Sequence, residues 1–188
     1  MAKPFECLII VDLQNDFCPG GALAVPEGDR IVDPINRIIQ NFPFVVTTQD
    51  WHPPDHISFQ GHGGVWPPHC IQNTWGAQLH PKLCQDGIHL RILKGQHPDR
   101  DAYSGFEETP LAEELKKHAV KKVFIVGLAT DYCVKHTALD ALRYGFQTVV
   151  FTDLVRSVDV KSGDGERALK EIQGAGGILM RAPDRLVF

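Results

Sequence analysis

Short, unbroken apolar runs alternate with helix-spaced segments along this chain, and that alternation limits the folds open to it more than any other feature. Cys7-Leu8-Ile9-Ile10-Val11, Phe44-Val45-Val46-Thr47-Thr48 and, after two lysines, Val123-Phe124-Ile125-Val126 are too short for helices. Their lack of polar alternation suits strands covered on both faces. Residues 87–93, 146–151 and 177–180 read as three more strands. Between them, Ile31, Ile35, Ile38 and Ile39 mark a helix over residues 30–40, with Pro34 tolerated near its first turn. Residues 111–118 read as a short helix with an acidic start and a basic end. Val134, Thr137, Ala138, Ala141 and Leu142 mark a third helix, stopped at Gly145, and residues 164–172 a fourth. The pattern predicts a three-layer α/β fold: a six-stranded parallel sheet with right-handed crossovers and helices on both faces. One domain over residues 1–188 accommodates it, since no repeat, linker or low-complexity tract interrupts the chain.

In such sheets, ligands sit beyond the carboxyl ends of the strands, where the strand order reverses. Asp12 follows strand one, Asp50 and His52 follow strand two, Lys94 follows strand three, and residues 129–133 follow strand four. Each alone has an ordinary explanation: a turn cap, a surface histidine, a solvated lysine, a small buried cysteine. Four chemically useful positions on one edge of one sheet are harder to explain that way. Gly163-Asp164-Gly165-Glu166-Arg167-Ala168 matches a dinucleotide fingerprint in letters only, because no strand directly precedes it, and it reads as a helix entry.

Cys133 falls at the start of the third helix, with Thr130 or Asp131 as the natural N-cap. Unpaired N–H groups and the helix dipole there favour thiolate over thiol, which makes Cys133 a candidate nucleophile. A carboxylate, a lysine and a cysteine together suit acyl transfer through a thioester. Asp12 would take the thiol proton and return it to a departing amine, Lys94 would stabilise the thiolate, and the N–H groups of Ala129 and Cys133 would receive the oxyanion.

Asp50 and His52, two apart and followed by Pro53, can point to one side, and a carboxylate with an imidazole suits a divalent metal. The irregular region that follows, running to about Cys84, is long enough to be functional and carries Trp66-Pro67-Pro68-His69-Cys70. His69 is its candidate third ligand. Two histidines and one carboxylate accept zinc, iron or manganese, with zinc the first expectation. Such an ion would lie beside the nucleophile, able to bind a ring nitrogen of a substrate and to orient water.

The net charge of −4 gives no general attraction for nucleic acid or anionic membrane, so a small molecule is the expected partner. Five cysteines (7, 18, 70, 84 and 133) without a C-x-x-C pair favour reduced thiols. With no leader-like start and no apolar run long enough to span a bilayer, a cytoplasmic protein is expected. Whether the chain forms a homo-oligomer is open.

The stretches Ile10-Val11-Asp12-Leu13-Gln14-Asn15-Asp16-Phe17, Thr48-Gln49-Asp50-Trp51-His52-Pro53, Trp66-Pro67-Pro68-His69-Cys70, Lys94-Gly95 and Gly127-Leu128-Ala129-Thr130-Asp131-Tyr132-Cys133-Val134 together resemble the nicotinamidase/pyrazinamidase members of the isochorismatase-like cysteine hydrolase family. The resemblance covers nearly the whole chain. It implies the strand order 3-2-1-4-5-6 and hydrolysis of nicotinamide to nicotinate and ammonia in NAD salvage, with pyrazinamide cut as well. It also implies a catalytic triad of Asp12, Lys94 and Cys133, a metal held by Asp50, His52 and His69, and a cis peptide between Leu128 and Ala129. Phe17, Trp66 and Tyr103 fall where family members line the substrate pocket with rings. The Asp-Trp-His-Pro form looks like that of members with three protein ligands, which leaves His56 outside the set.

Three rival readings differ in what they require. A sister amidase or an isochorismatase-type enzyme would lack either the metal motif or the cysteine. A hydrolase using metal-bound hydroxide would keep most activity without Cys133. A non-enzymatic metal- or thiol-responsive binding protein would turn over no amide.

Overall fold

A computed structural model describes residues 5–183. Six strands, β1 (Phe5–Val11), β2 (Phe44–Asp50), β3 (Leu90–Lys94), β4 (Val120–Leu128), β5 (Gln147–Arg156) and β6 (Ile178–Met180), form one parallel sheet in the order β3-β2-β1-β4-β5-β6. The order reverses between β1 and β4, the two central strands, so the crevice lies above their carboxyl ends.

Alternate residues of the central strands feed two cores, because side chains alternate across a sheet. Leu8, Ile10, Val45, Phe124 and Val126 pack on one face, against Ile35, Ile38 and Ile39 of α1 (Val32–Ile39). Cys7, Ile9, Val11, Val46 and Ile125 pack on the other. That second face is covered by Leu111 and Leu115 of α2 (Leu111–Lys117), Ala138 and Ala141 of α3 (Lys135–Arg143), and Ile172 of α4 (Asp164–Gly174). Among the described residues, α1 is the one α-helix on the first face. The long loop between β2 and β3 completes it, burying Cys70, Ala77, Leu79 and Leu83. A loop buried this deeply must satisfy its backbone polar groups internally, and it does so by bonds within itself and on residues 13–16, described below.

Gly127 shows how tightly the reversal point is built. Its φ of +114° is a glycine conformation, and a Cβ there would lie 2.1 Å from the Val11 carbonyl oxygen. Only glycine lets β4 run this close to β1 one residue before the nucleophile segment leaves the sheet.

Several elements differ in extent from the sequence expectation. β3 begins at Leu90, not residue 87, and runs through Lys94, which is its last residue instead of the residue after it. β2 likewise includes Asp50, and β5 extends to Arg156. Pairing with a neighbour continues these strands past the end of their apolar runs, as in Asp50 opposite Lys94. Between β4 and α3 the chain makes a π-helical turn over Thr130–Val134.

Candidate active site

Asp12 leaves β1 at a φ of +45°, its N–H bonded to the Thr48 carbonyl (3.1 Å). The Thr48 hydroxyl donates to Asp12 Oδ1 at 2.6 Å. Oδ2 is fully buried and has no aligned donor, although Lys94 Nζ lies 3.0 Å away. The general choice between a turn cap and a crevice carboxylate is thus resolved for the crevice.

Lys94 occupies the centre. Its ammonium donates to Asp50 Oδ1, to the Ala102 carbonyl (3.0 Å) and to Cys133 Sγ (3.4 Å). The side chain is 1% exposed, so the ordinary expectation of a solvated lysine fails. The neighbouring carboxylates explain how it stays charged: burial would lower its pKa, but Asp12 and Asp50 hold it well above 10.5. A carboxylate oxygen of Asp12, one of Asp50 and Cys133 Sγ lie within 4.8 Å of one another. That cluster has the spacing of a metal site, but the Lys94 ammonium already fills it.

Cys133 sits inside the π-helical turn, which opens with the Ala129 carbonyl accepting from the N–H groups of both Tyr132 and Val134 (3.1 Å each). The expected N-cap is not there. Neither Thr130 nor Asp131 caps this turn; Ala129 is the residue before it. The Asp131 carboxylate reaches away, accepting from the N–H groups of Val158 (3.0 Å) and Asp159 (2.8 Å). The expected bias toward thiolate is also overturned in the resting protein. Burial pushes the Cys133 thiol well above its ordinary value, and the pull of Lys94 does not offset it. Burial likewise raises Asp12 above 3.8 against the attraction of Lys94. Burial thus raises both the Cys133 thiol and the Asp12 carboxyl, and Asp12 Oδ2 is the oxygen there without a hydrogen-bond partner. The peptide between Leu128 and Ala129 is cis, in accord with the resemblance.

The second half of the site is a cation cradle. Asp50, His52 and His69 present ligand atoms within 4.8 Å of one another, all buried. His52 Nδ1 lies 2.8 Å from the Gly95 carbonyl and His69 Nδ1 2.8 Å from the Pro67 carbonyl. Donation to those carbonyls leaves both Nε2 atoms as acceptors, the arrangement that orients metal-ligating imidazoles. Gly95 makes the first contact possible, since a Cβ there would lie 2.5 Å from His52 Cε1. Burial would raise Asp50, but Lys94 and His52 hold it well below the carboxylate range, and Asp50 in turn holds His52 up against its own burial. Burial lowers His69, keeping its ring neutral. The donor set and its orientation therefore fit a divalent cation. His56 stacks on His52 (ring centroids 3.9 Å apart), but both its nitrogens are committed, to Ser58 Oγ (2.7 Å) and the Arg100 carbonyl (2.9 Å). His56 also has a ligand atom within 4.8 Å of those of His52 and Asp101, but with both nitrogens hydrogen-bonded it has none turned to Asp50 and His69.

Between Cys133 and the cradle lies a pocket bordered by Cys133, Ala129, Asp50 and His69. Phe17, Trp66 and Tyr103 all line it, as the sequence predicts. Trp66 Nε1 donates to the Tyr103 hydroxyl at 3.1 Å. Sequence reasoning missed Tyr132, whose ring meets Trp66 edge-on (5.2 Å), and the apolar wall of Leu23, Val25, Leu128 and Val158. Tyr132 is adjacent to Cys133, and that adjacency was the available signal.

Residues 6–184 match the model of the isochorismatase domain. The chain is 43% identical over 206 residues to the nicotinamidase of Escherichia coli, covering 96% of this chain and 97% of that one. The crystal structure of Pyrococcus horikoshii pyrazinamidase in complex with zinc superposes with a TM-score of 0.89 at 48% identity, covering 95% and 100% of the two chains. PnC1 of L. infantum in complex with nicotinate gives a TM-score of 0.91 at 40% identity, covering 95% and 93%. With this fold, this strand order and these relatives, the chain belongs to the isochorismatase family of hydrolases, among its nicotinamidase and pyrazinamidase members.

Proposed function

We propose that this protein hydrolyses nicotinamide to nicotinate and ammonia, and pyrazinamide to pyrazinoate, through a thioester on Cys133. The observation that carries the reading is the Lys94 ammonium, 3.4 Å from Cys133 Sγ, 3.0 Å from Asp12 Oδ2 and paired with Asp50. The relatives named above act on, or are bound to, small pyridine and pyrazine compounds, and the ring-lined pocket supports the same substrate class here. Nicotinate so formed would enter NAD salvage.

As the amide docks, the thiol proton passes from Cys133 Sγ to Asp12 Oδ2, and Lys94 stabilises the thiolate left behind. Sγ attacks the carboxamide carbon, and the N–H groups of Ala129 and Cys133 receive the oxyanion. Asp12 returns the proton to the amide nitrogen, the C–N bond breaks, and ammonia leaves. Water then attacks the thioester while Asp12 takes one of its protons; collapse breaks the C–S bond, returns that proton to Sγ and frees the carboxylic acid, which gives up its own proton to solvent or the released ammonia. Phe17, Trp66 and Tyr103 hold the flat ring. Asp50, His52 and His69 would hold a divalent ion, zinc being our assignment, which supplies a Lewis-acidic contact for a ring nitrogen beside the nucleophile.

The test is ammonia release from nicotinamide by the wild type, Cys133→Ala and a metal-stripped sample. Activity that vanishes with Cys133→Ala and falls on stripping supports the thioester route. Activity retained by Cys133→Ala would overturn it in favour of a metal-activated water.

A further inference from the structure

The segment after Asp12 holds three buried polar side chains, Gln14, Asn15 and Asp16, that do not line the pocket; Asn15 Nδ2 donates to the Trp75 carbonyl at 2.7 Å, and the other two, Gln14 and Asp16, concern the cradle. Both bond to the backbone of the metal cradle. The Gln14 carboxamide clasps the Asp50 peptide from both sides: Oε1 accepts from Asp50 N–H and Nε2 donates to Asp50 C=O, each at 2.8 Å. Nε2 also reaches the Ala77 carbonyl at 2.9 Å. The Asp16 carboxylate accepts from the N–H of Cys70, the residue after His69, at 2.7 Å through Oδ2. Its Oδ1 accepts from Ala22 N–H at 3.1 Å.

The backbone of this segment ties down the same loop. Asn15 N–H donates to Gln78 C=O and Asp16 N–H to Gly76 C=O, both at 3.0 Å, and His80 N–H donates to Leu13 C=O at 2.8 Å. His52 and the residues flanking Ile71 are in turn bonded to each other, His52 N–H to Cys70 C=O (3.0 Å) and Gln72 N–H to His52 C=O (2.8 Å). The cradle thus has one ligand on a strand end and two on irregular backbone, and irregular backbone does not fix a ligand by itself.

We propose that Gln14 and Asp16 are positioning residues for the metal centre, Gln14 setting the Asp50 peptide and Asp16 the peptide that follows His69. They make the cradle an extension of the turn that presents Asp12, so that base and cradle are placed by one segment. The charge of Asp16 adds a second role, favouring a cation near His69 without touching it. The inference rests on the metal reading above. Partners of this kind, outside the ligand set, are commonly worth ten- to a hundredfold in metal affinity.

The experiment compares wild type, Gln14→Met and Asp16→Asn, with Zn²⁺ as the probe. Each protein is stripped, its Zn²⁺ dissociation constant is measured by competition with a chromophoric chelator, and its melting temperature is recorded stripped and Zn²⁺-loaded. The expected result is a dissociation constant raised about ten- to a hundredfold in each variant. The rise in melting temperature on adding Zn²⁺ shrinks in step, because binding to the native state sets it. A merely structural role would lower both melting temperatures together and leave the Zn²⁺ affinity unchanged, and that result would overturn the proposal. Should Asp16→Asn fail to fold, Gln14→Met decides alone. Failure of the wild type to bind Zn²⁺ would overturn the metal reading and this inference with it, whereas wild-type binding matched by both variants overturns the inference only.

Discussion

Lys94 is paired with Asp50, the same carboxylate whose second oxygen lies 3.6 Å from His52 Nε2. One side chain therefore belongs to both halves of the site, facing the nucleophile's cation with one oxygen and the cradle with the other. Replacing Lys94 by Met leaves Asp12 buried without its counter-charge. Removing one partner of a buried ion pair costs about 3–5 kcal/mol, so urea unfolding at neutral pH should show a loss of that order alongside loss of amidase activity. The sign of its pH dependence follows. Without Lys94, Asp12 titrates still further above its unfolded value, the folded state binds more protons, and stability declines as pH rises. The variant should be closer to wild type at pH 5 than at pH 8.

The pH profile of the wild type should carry an acid limb displaced upward. Asp12 must be ionised to take the thiol proton, and burial holds it above 3.8. kcat/KM should therefore fall as pH falls through a value above the ordinary carboxylate range. Cys133 and Lys94 both titrate well above neutrality, so neither imposes a loss near pH 7. Asp12→Asn should remove the limb and cost about 10²- to 10⁴-fold in rate, the usual contribution of a positioned proton carrier. A limb at or below 3.8 would contradict the assignment.

His69 and His56 make a discriminating pair for the metal. Both are buried histidines near His52, but only His69 has a nitrogen free to face the cradle. His69→Ala should weaken Zn²⁺ binding by more than about a hundredfold, beyond what residues outside the ligand set contribute. His56→Gln should change it by less than about tenfold. Titration of stripped protein with Zn²⁺ checks both.

The pocket offers a test that separates binding from chemistry. Tyr132 meets Trp66 edge-on at 5.2 Å and Tyr103 at 5.8 Å, closing the ring-lined wall. Aromatic pairs of this geometry contribute about 0.5–1.5 kcal/mol beyond their buried area. Tyr132→Ala should accordingly raise KM for nicotinamide by about two- to tenfold while kcat changes less, as steady-state kinetics would show.

The sequence carried the sheet and the chemical edge because buried parallel strands are continuous apolar runs, and the residues ending them are placed by register. Asp12, Asp50, Lys94 and Cys133 were legible for that reason, and His69 because it follows two prolines in a long loop. The state of Cys133 was not legible, since its protonation depends on its burial and on the charges of Lys94, Asp12 and Asp50, which come from other parts of the sheet. Nor were the tasks of Gln14, Asp16 and Asp131, whose partners lie 36, 54 and 27 residues away in sequence. A short polar side chain before a helix reads as a cap by local rules, and local rules do not see a loop arriving from elsewhere.

Asp131 shows what that arriving loop does. Its two oxygens accept from the N–H groups of Val158 and Asp159, and Val158 borders the pocket. Asp159 passes the connection on, accepting from Gly165 N–H at 2.8 Å in the first turn of α4. The nucleophile turn, the pocket wall and the start of α4 are therefore joined through carboxylates. Asp131→Ala leaves two N–H groups without their acceptor and should cost about 1–3 kcal/mol in urea unfolding. Because Val158 is released from the wall, KM should rise as well. Asp131→Asn, which keeps one acceptor oxygen, should recover part of both losses. Full stability in the alanine variant would mean that the loop holds its position without the carboxylate.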